Sequence, residues 1–193
     1  GTPVVLVVVS GRPLAIEWAA ANCAAILLAW APGDAGPEAI ADVLTGVANP
    51  GGKLPISIPR SAGHLPVFYN HKPSARRGYL WDDVSPLFPF GFGLSYTTFK
   101  LGNVRFAKRR IARGGSTRVL VDVTNTGERA GSEVVQMYLR DCVSSVTRPV
   151  KELKGFQKVW IKPGETQTVS LDITPESLAF YDVSMDYVVE PGE

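Results

Sequence analysis

Val4-Val-Leu-Val-Val-Val9 is an unbroken apolar run, mostly β-branched, the pattern of a strand covered on both faces in a parallel sheet. Ser10-Gly-Arg-Pro13 ends it. Leu14, Trp18 and Ala21 recur at helical spacing up to Asn22, and Ala24–Trp30 is a second apolar run, so the pattern predicts a βαβ unit. After the turn Ala31-Pro-Gly-Asp34, Pro37 suits a first helical position. Ala39, Ile40, Val43 and Leu44 then form an apolar stripe that stops at Gly46. Asn49-Pro-Gly-Gly52 predicts a turn, and Leu54–Ile58 a short strand closed by Pro59. These pieces make fewer α/β repeats than a stable open sheet has, so further strands are expected before Gly1.

From about Tyr96 the period changes to two. Val119, Val121 and Val123 alternate with Leu120, Asp122 and Thr124; the turn Asn125-Thr-Gly127 follows, then a second run, Val134–Arg140. Val150–Ile161 around Gly155, Thr166–Ile173 and Asp186–Glu190 are further strands, with Pro163-Gly164 between two of them. Short strands separated by turn signals predict a sandwich of the immunoglobulin or fibronectin type III kind. The count stops one strand short at Pro191-Gly-Glu193, which predicts an unpaired edge.

Between the halves lies Pro86-Leu-Phe-Pro-Phe-Gly-Phe-Gly-Leu-Ser-Tyr-Thr-Thr-Phe99. Its prolines and glycines exclude a regular helix, and its rings exclude a solvated Gly/Ser tether. The segment is expected to pack, with Ser95–Phe99 starting the first sandwich strand. The predicted organisation is therefore an α/β part over residues 1–70, a connector over 71–95, and an all-β domain over 96–193.

Composition narrows the function. The chain has 193 residues, 45% apolar and 20% charged, an ordinary globular balance with no run near the roughly 18 to 20 apolar residues of a membrane helix. A net charge of +2 gives no reason to expect nucleic acid. The one basic cluster, Lys108-Arg109-Arg110 with Arg113, has no interleaved aromatics and suits a solvated loop. Cys23 and Cys142 fall in different halves, which argues against a disulfide framework. The compartment stays open, with periplasm or exterior ahead of cytoplasm.

Candidate chemistry is sparse. Asn49-Pro-Gly-Gly-Lys53 lacks the spacing of a phosphate loop, Gly91-Phe-Gly93 lacks a third glycine, and Ser10-Gly11 lacks the upstream glycine of a nucleophile elbow. His64 and His71 have no Cys or carboxylate at ligand spacing, so neither a metal nor a cofactor is expected. Among carboxylates, Glu38 and Asp42 can share a helix face near Asp34, but helix-start electrostatics and solvation account for all three. Asp82 and Asp83 beside Trp81 can line a sugar pocket or form a turn. Trp30, Trp81 and Trp160 are read as packing before glycan platforms.

Several runs carry a resemblance: Pro3–Leu14, Ala39–Leu44 with Gly46, Asn49–Pro55, Phe68-Tyr-Asn-His-Lys-Pro73, Pro86–Phe99, Val123–Gly127, Thr147–Phe156 and Leu178–Tyr181. Together they resemble, in order, the C-terminal portion of family 3 glycoside hydrolases of the three-domain β-glucosidase and β-xylosidase type. The resemblance implies a retaining enzyme acting on β-linked glucosides or xylosides, with a barrel domain upstream. It places the nucleophilic Asp in that barrel and the acid/base Glu before the Pro3–Leu6 strand, so both are expected upstream of Gly1 and no catalytic residue is assigned here. Ala31-Pro-Gly-Asp-Ala-Gly-Pro37 departs from the Tyr-Pro-Gly-Glu-Glu-Gly-Gly of many members, which weakens any sugar contact by this loop.

Two functions follow as expectations: an inactive C-terminal fragment of an exo-acting β-glycosidase, or a natural non-catalytic polysaccharide-binding module. For the fragment, uncovered edges predict aggregation or oligomers outside the parent.

Overall fold

In the computed structural model, which describes residues 1–73 and 83–193, the first apolar run is β1 (Val5–Val9). It is joined through α1 (Glu17–Asn22) to β2 (Ala25–Trp30), and β1 and β2 pair in parallel. The βαβ unit is thus present, but its helix starts three residues after Leu14, beyond Pro13, with no side chain capping its first turn. The predicted helical face is also corrected. Trp18 is 76% exposed and Leu14 is exposed too, while Ala19 is the buried position. The short helix sinks only a small residue into the unit, leaving its aromatic outside.

α2 (Gly36–Thr45) has Pro37 in its first turn and ends at Gly46 with φ 80°, the left-handed conformation that a glycine adopts at no steric cost. Ile40 and Val43 are half-buried, whereas Ala39 and Leu44 of the expected stripe stay exposed.

Leu54–Ile58 is not a regular strand. It runs antiparallel to the Leu87–Phe92 segment, joined by Leu54 N–H to Phe92 O (2.8 Å), Gly91 N–H to Leu54 O (2.8 Å), Ile58 N–H to Phe88 O (2.8 Å) and Leu87 N–H to Ile58 O (2.9 Å). Pro55 and Pro59 have no N–H to give, so the ladder shrinks to one bridge, Ile58 with Phe88. Ser57 compensates by accepting the Phe90 N–H at its Oγ, 3.2 Å.

Two compact units result, one comprising Gly1–Tyr69 with the described residues up to Leu94, the other the segment from Asn70 and all of Ser95–Glu193. In the second, β3 (Phe99–Phe106), β4 (Thr117–Asn125) and β7 (Thr166–Ile173) form an antiparallel sheet in the order β3-β4-β7. β5 (Gly131–Leu139) and β6 (Glu152–Ile161) make a second antiparallel pair. After α3 (Pro175–Leu178), β8 (Phe180–Tyr181) and β9 (Tyr187–Val188) close a small hairpin. The first strand begins at Phe99 rather than Ser95, and the last run shortens to two residues.

Val121 and Val123 from β4, Val135 from β5, Val159 and Ile161 from β6 and Val169 from β7 form one buried cluster, with Phe99 and Leu171 against it. The alternation read from the sequence places these side chains between the two sheets, as an aligned sandwich requires.

Candidate functional site

The carboxylates the sequence singled out divide between α2 and the loop that holds Asp83. Asp34 lies exposed in the loop before α2, Glu38 in its first turn, and Asp42 on the same face one turn on. Trp81 and Asp82 lie outside the described residues. Asp83 instead belongs to a polar cluster centred on Arg60.

Arg60 follows Pro59, at the end of the bridged segment. Its Nη2 donates to Asp83 Oδ2 (2.8 Å) and Ser85 Oγ (3.2 Å), its Nε to Ser85 O (3.0 Å), and its Nη1 to Glu17 Oε1 on α1 (3.2 Å). His64 closes the cluster. Its Nδ1 accepts the Arg60 backbone N–H at 3.2 Å, which leaves Nε2 to carry the proton shared with Val84 O at 3.1 Å. Both imidazole nitrogens are therefore used in holding backbone. His71 places Nδ1 3.0 Å from Lys72 O.

The Ser85 backbone N–H and then its hydroxyl, helped by Arg60, hold the Asp83 carboxyl below its ordinary pKa against the opposing effect of burial. A general acid needs the opposite displacement. Every described carboxyl with a displaced pKa (Asp83, Asp122, Glu152, Glu165, Glu176 and Glu190) is displaced downward. These groups serve as fixed anions and acceptors. Among the described residues no group of three or more His, Cys, Asp or Glu is placed to hold a metal.

The glycine motifs are structural. Gly93 donates no phosphate-binding loop; its carbonyl accepts Lys53 Nζ at 2.8 Å, and its Cα packs against Gly52 O. Phe88 and Phe92 stack at 5.4 Å, and Phe90 stacks on Tyr69 at 4.3 Å, so these rings of the aromatic segment pack within the first unit. Ser10 accepts the Arg12 N–H at its own Oγ (3.3 Å), a local turn.

A shallow depression, open to solvent, lies at the carboxyl ends of β1 and β2, lined by Val8, Ser10, Arg12, Leu28, Trp30 and Ile58. That is where parallel α/β sheets bind ligands, but the lining is largely apolar and the free space, about 10 Å³, has room for about one water molecule. Trp30 itself has φ 55°, unusual for a bulky residue, where the β1–β2 register slips and Ser10 N–H bonds Trp30 O at 3.0 Å.

The second unit holds a buried cation that the sequence reading missed. The Arg148 side chain is 10% exposed; its Nη2 bonds Glu152 Oε2, and its guanidinium lies 4.2 Å from the Phe180 ring centroid. No sequence signal marks Arg60 or Arg148, because most of their partners lie 23 to 43 residues away or across a turn. Trp160, read as packing, is instead 54% exposed on β6.

Residues 1–96 match the glycosyl hydrolase family 3 C-terminal domain, and residues 133–193 a fibronectin type III-like domain. A periplasmic β-glucosidase of Salmonella typhimurium and a β-xylosidase of Formosa agariphila are each 48% identical to it, over all of this chain and 27% of their own length. A β-glucosidase structure from Erythrobacter marinus superposes with a TM-score of 0.93 at 47% identity, covering 97% of this chain and 25% of the other. One from Listeria innocua in complex with glucose gives 0.93 at 38%, covering 99% and 28%.

Proposed function

The chain belongs to glycosyl hydrolase family 3, and on that premise we propose that it works as the C-terminal part of a retaining, exo-acting β-glycosidase that removes glucose or xylose from non-reducing ends. The observation that carries the proposal is the pairing of full coverage of this chain with about a quarter of each relative's length. Retaining hydrolysis needs two carboxyl groups about 5 Å apart, one of them able to donate a proton. No described carboxyl with a displaced pKa is shifted upward to suit it as that donor, and the sequence resemblance puts both catalytic groups upstream of Gly1.

The role of these residues is then to hold shape. The Arg60 cluster ties α1, the bridged segment and the Asp83–Ser85 loop together, and the valine cluster holds the sandwich.

The test is hydrolysis of nitrophenyl β-glucoside and β-xyloside by the 193-residue chain and by the product of its whole coding sequence. Turnover is expected from the longer product alone. Robust turnover by the 193 residues, abolished by replacing one of their own Asp or Glu residues, overturns the proposal.

A further inference from the structure

Phe156, Lys158 and Trp160 occupy alternate positions of β6 and are all exposed, Phe156 by 67%. They therefore stand on one face, while Val159 and Ile161 between and beyond them are buried. Across the ladder Trp160 pairs with Ser132, Lys158 with Val134 and Phe156 with Gln136. Tyr138 joins the same face, its hydroxyl donating to Gln136 Oε1 at 2.6 Å, and Lys151 places Nζ 5.1 Å from the Tyr138 ring centroid. The result is a surface of three rings, each beside a hydrogen-bonding or cationic group.

Core residues would be aliphatic and shielded, and a protein-docking face would be depleted in lysine. Lys154, at the bulge where the ladder shifts register, is paired with Glu152 at 3.5 Å, whereas Lys158, between the two exposed rings, makes no ion pair or hydrogen bond among the described residues. An unpartnered ammonium between two aromatic platforms complements a ligand with flat apolar faces, hydroxyls and occasional carboxylates.

We propose that the outer β5–β6 face binds a uronate-bearing β-glycan, with Trp160 and Phe156 stacking on sugar faces and Lys158 pairing with a uronate. The choice of glycan rests on the glycosidase reading. Single-stranded nucleic acid also takes alternating rings and cations, but a net charge of +2 leaves little electrostatic attraction for a phosphate backbone.

The test is retardation of the full-length protein in native gels containing glucuronoxylan, the same polymer after carboxyl reduction, or oligothymidylate. Retardation by glucuronoxylan is expected, weakened severalfold by carboxyl reduction or by Lys158→Gln, and weakened about tenfold or more by Trp160→Ala with Phe156→Ala, as loss of stacked rings predicts. Trp160→Phe with Phe156→Tyr keeps the rings and retains binding, which separates ring loss from misfolding. Nitrophenyl glycoside turnover is unchanged in all these variants, so retention without any turnover sinks the glycosidase reading and leaves the face assigned. Absence of retardation, retardation indifferent to the ring variants, or stronger retardation by oligothymidylate overturns the proposal.

Discussion

Thr97 donates its hydroxyl to the buried side-chain oxygen of Asn125 at 2.7 Å, joining the stretch that leads into β3 to the last residue of β4. Asn125 is fully buried and fully used. Its Oδ1 also accepts the Gly127 N–H (3.1 Å), and its Nδ2 donates to Arg129 O (2.7 Å) and Ile161 O (2.9 Å). A satisfied buried amide of this kind fixes one arrangement of three chain segments.

Replacing Asn125 with Leu keeps the branching of the side chain but leaves Thr97 Oγ1 and Ile161 O buried, and the Gly127 N–H and Arg129 O half-buried, without their Asn125 partner. The expected loss is about 2–4 kcal/mol, read as a lowered urea midpoint. A loss no larger than that of an exposed substitution such as Thr126→Ala shows that the network is not what holds this corner.

Gly93 and Gly52 face each other with different tolerance. A Cβ on Gly93 would lie 2.2 Å from Gly52 O, while one on Gly52 meets nothing within 4 Å. Gly93→Ala is expected to cost about 1–3 kcal/mol, the range of forced repacking, and Gly52→Ala less than about 0.5 kcal/mol. Thermal melts of the two variants decide it, and hydrogen exchange at the Leu54 and Gly91 amides shows whether the loss is local.

Glu152 makes stability depend on acid. Burial raises its pKa, but the Arg148 hydrogen bond and the charges of Lys154 and Arg148 lower it further, for a net downward shift. A carboxyl with a lowered folded pKa contributes stability that is complete above its unfolded value, about 4.3, and is lost as pH falls through the folded one. Glu152→Gln is thus expected to be destabilised at pH 7 and to converge on the unaltered protein below about pH 4. A constant difference in urea midpoint from pH 7 to 3 contradicts this.

Arg60 depends on the shape of its guanidinium as well as its charge. Lys retains the charge but cannot direct separate donors at Glu17, Asp83 and Ser85. Arg60→Lys should therefore lower the melting temperature nearly as much as Arg60→Met. A melt of Arg60→Lys that matches the unaltered protein assigns the cluster to charge alone.

Periodicity read from the chain places the parallel pair, α2 with its glycine stop, and the β4, β6 and β7 ladders close to where they stand. It fails where one element depends on a distant one. Leu54–Ile58 has the composition of a strand, yet Pro55 within it and Pro59 after it leave only Leu54 and Ile58 donating to the Leu87–Phe92 segment. Trp18 has helical spacing but sits on a helix too short to turn it inward.

The sequence by itself determined the change from α/β to all-β, the inward positions of the sandwich strands and the family, because these depend on local period, turn residues and motif order. Only the tertiary structure decided that His64 and Asp83 serve Arg60, that Arg148 is buried against Phe180, and that Trp160 and Phe156 share an open face. Those relations join residues far apart in the chain or turn on which face of a strand is covered, and hydrophobicity along a sequence specifies neither.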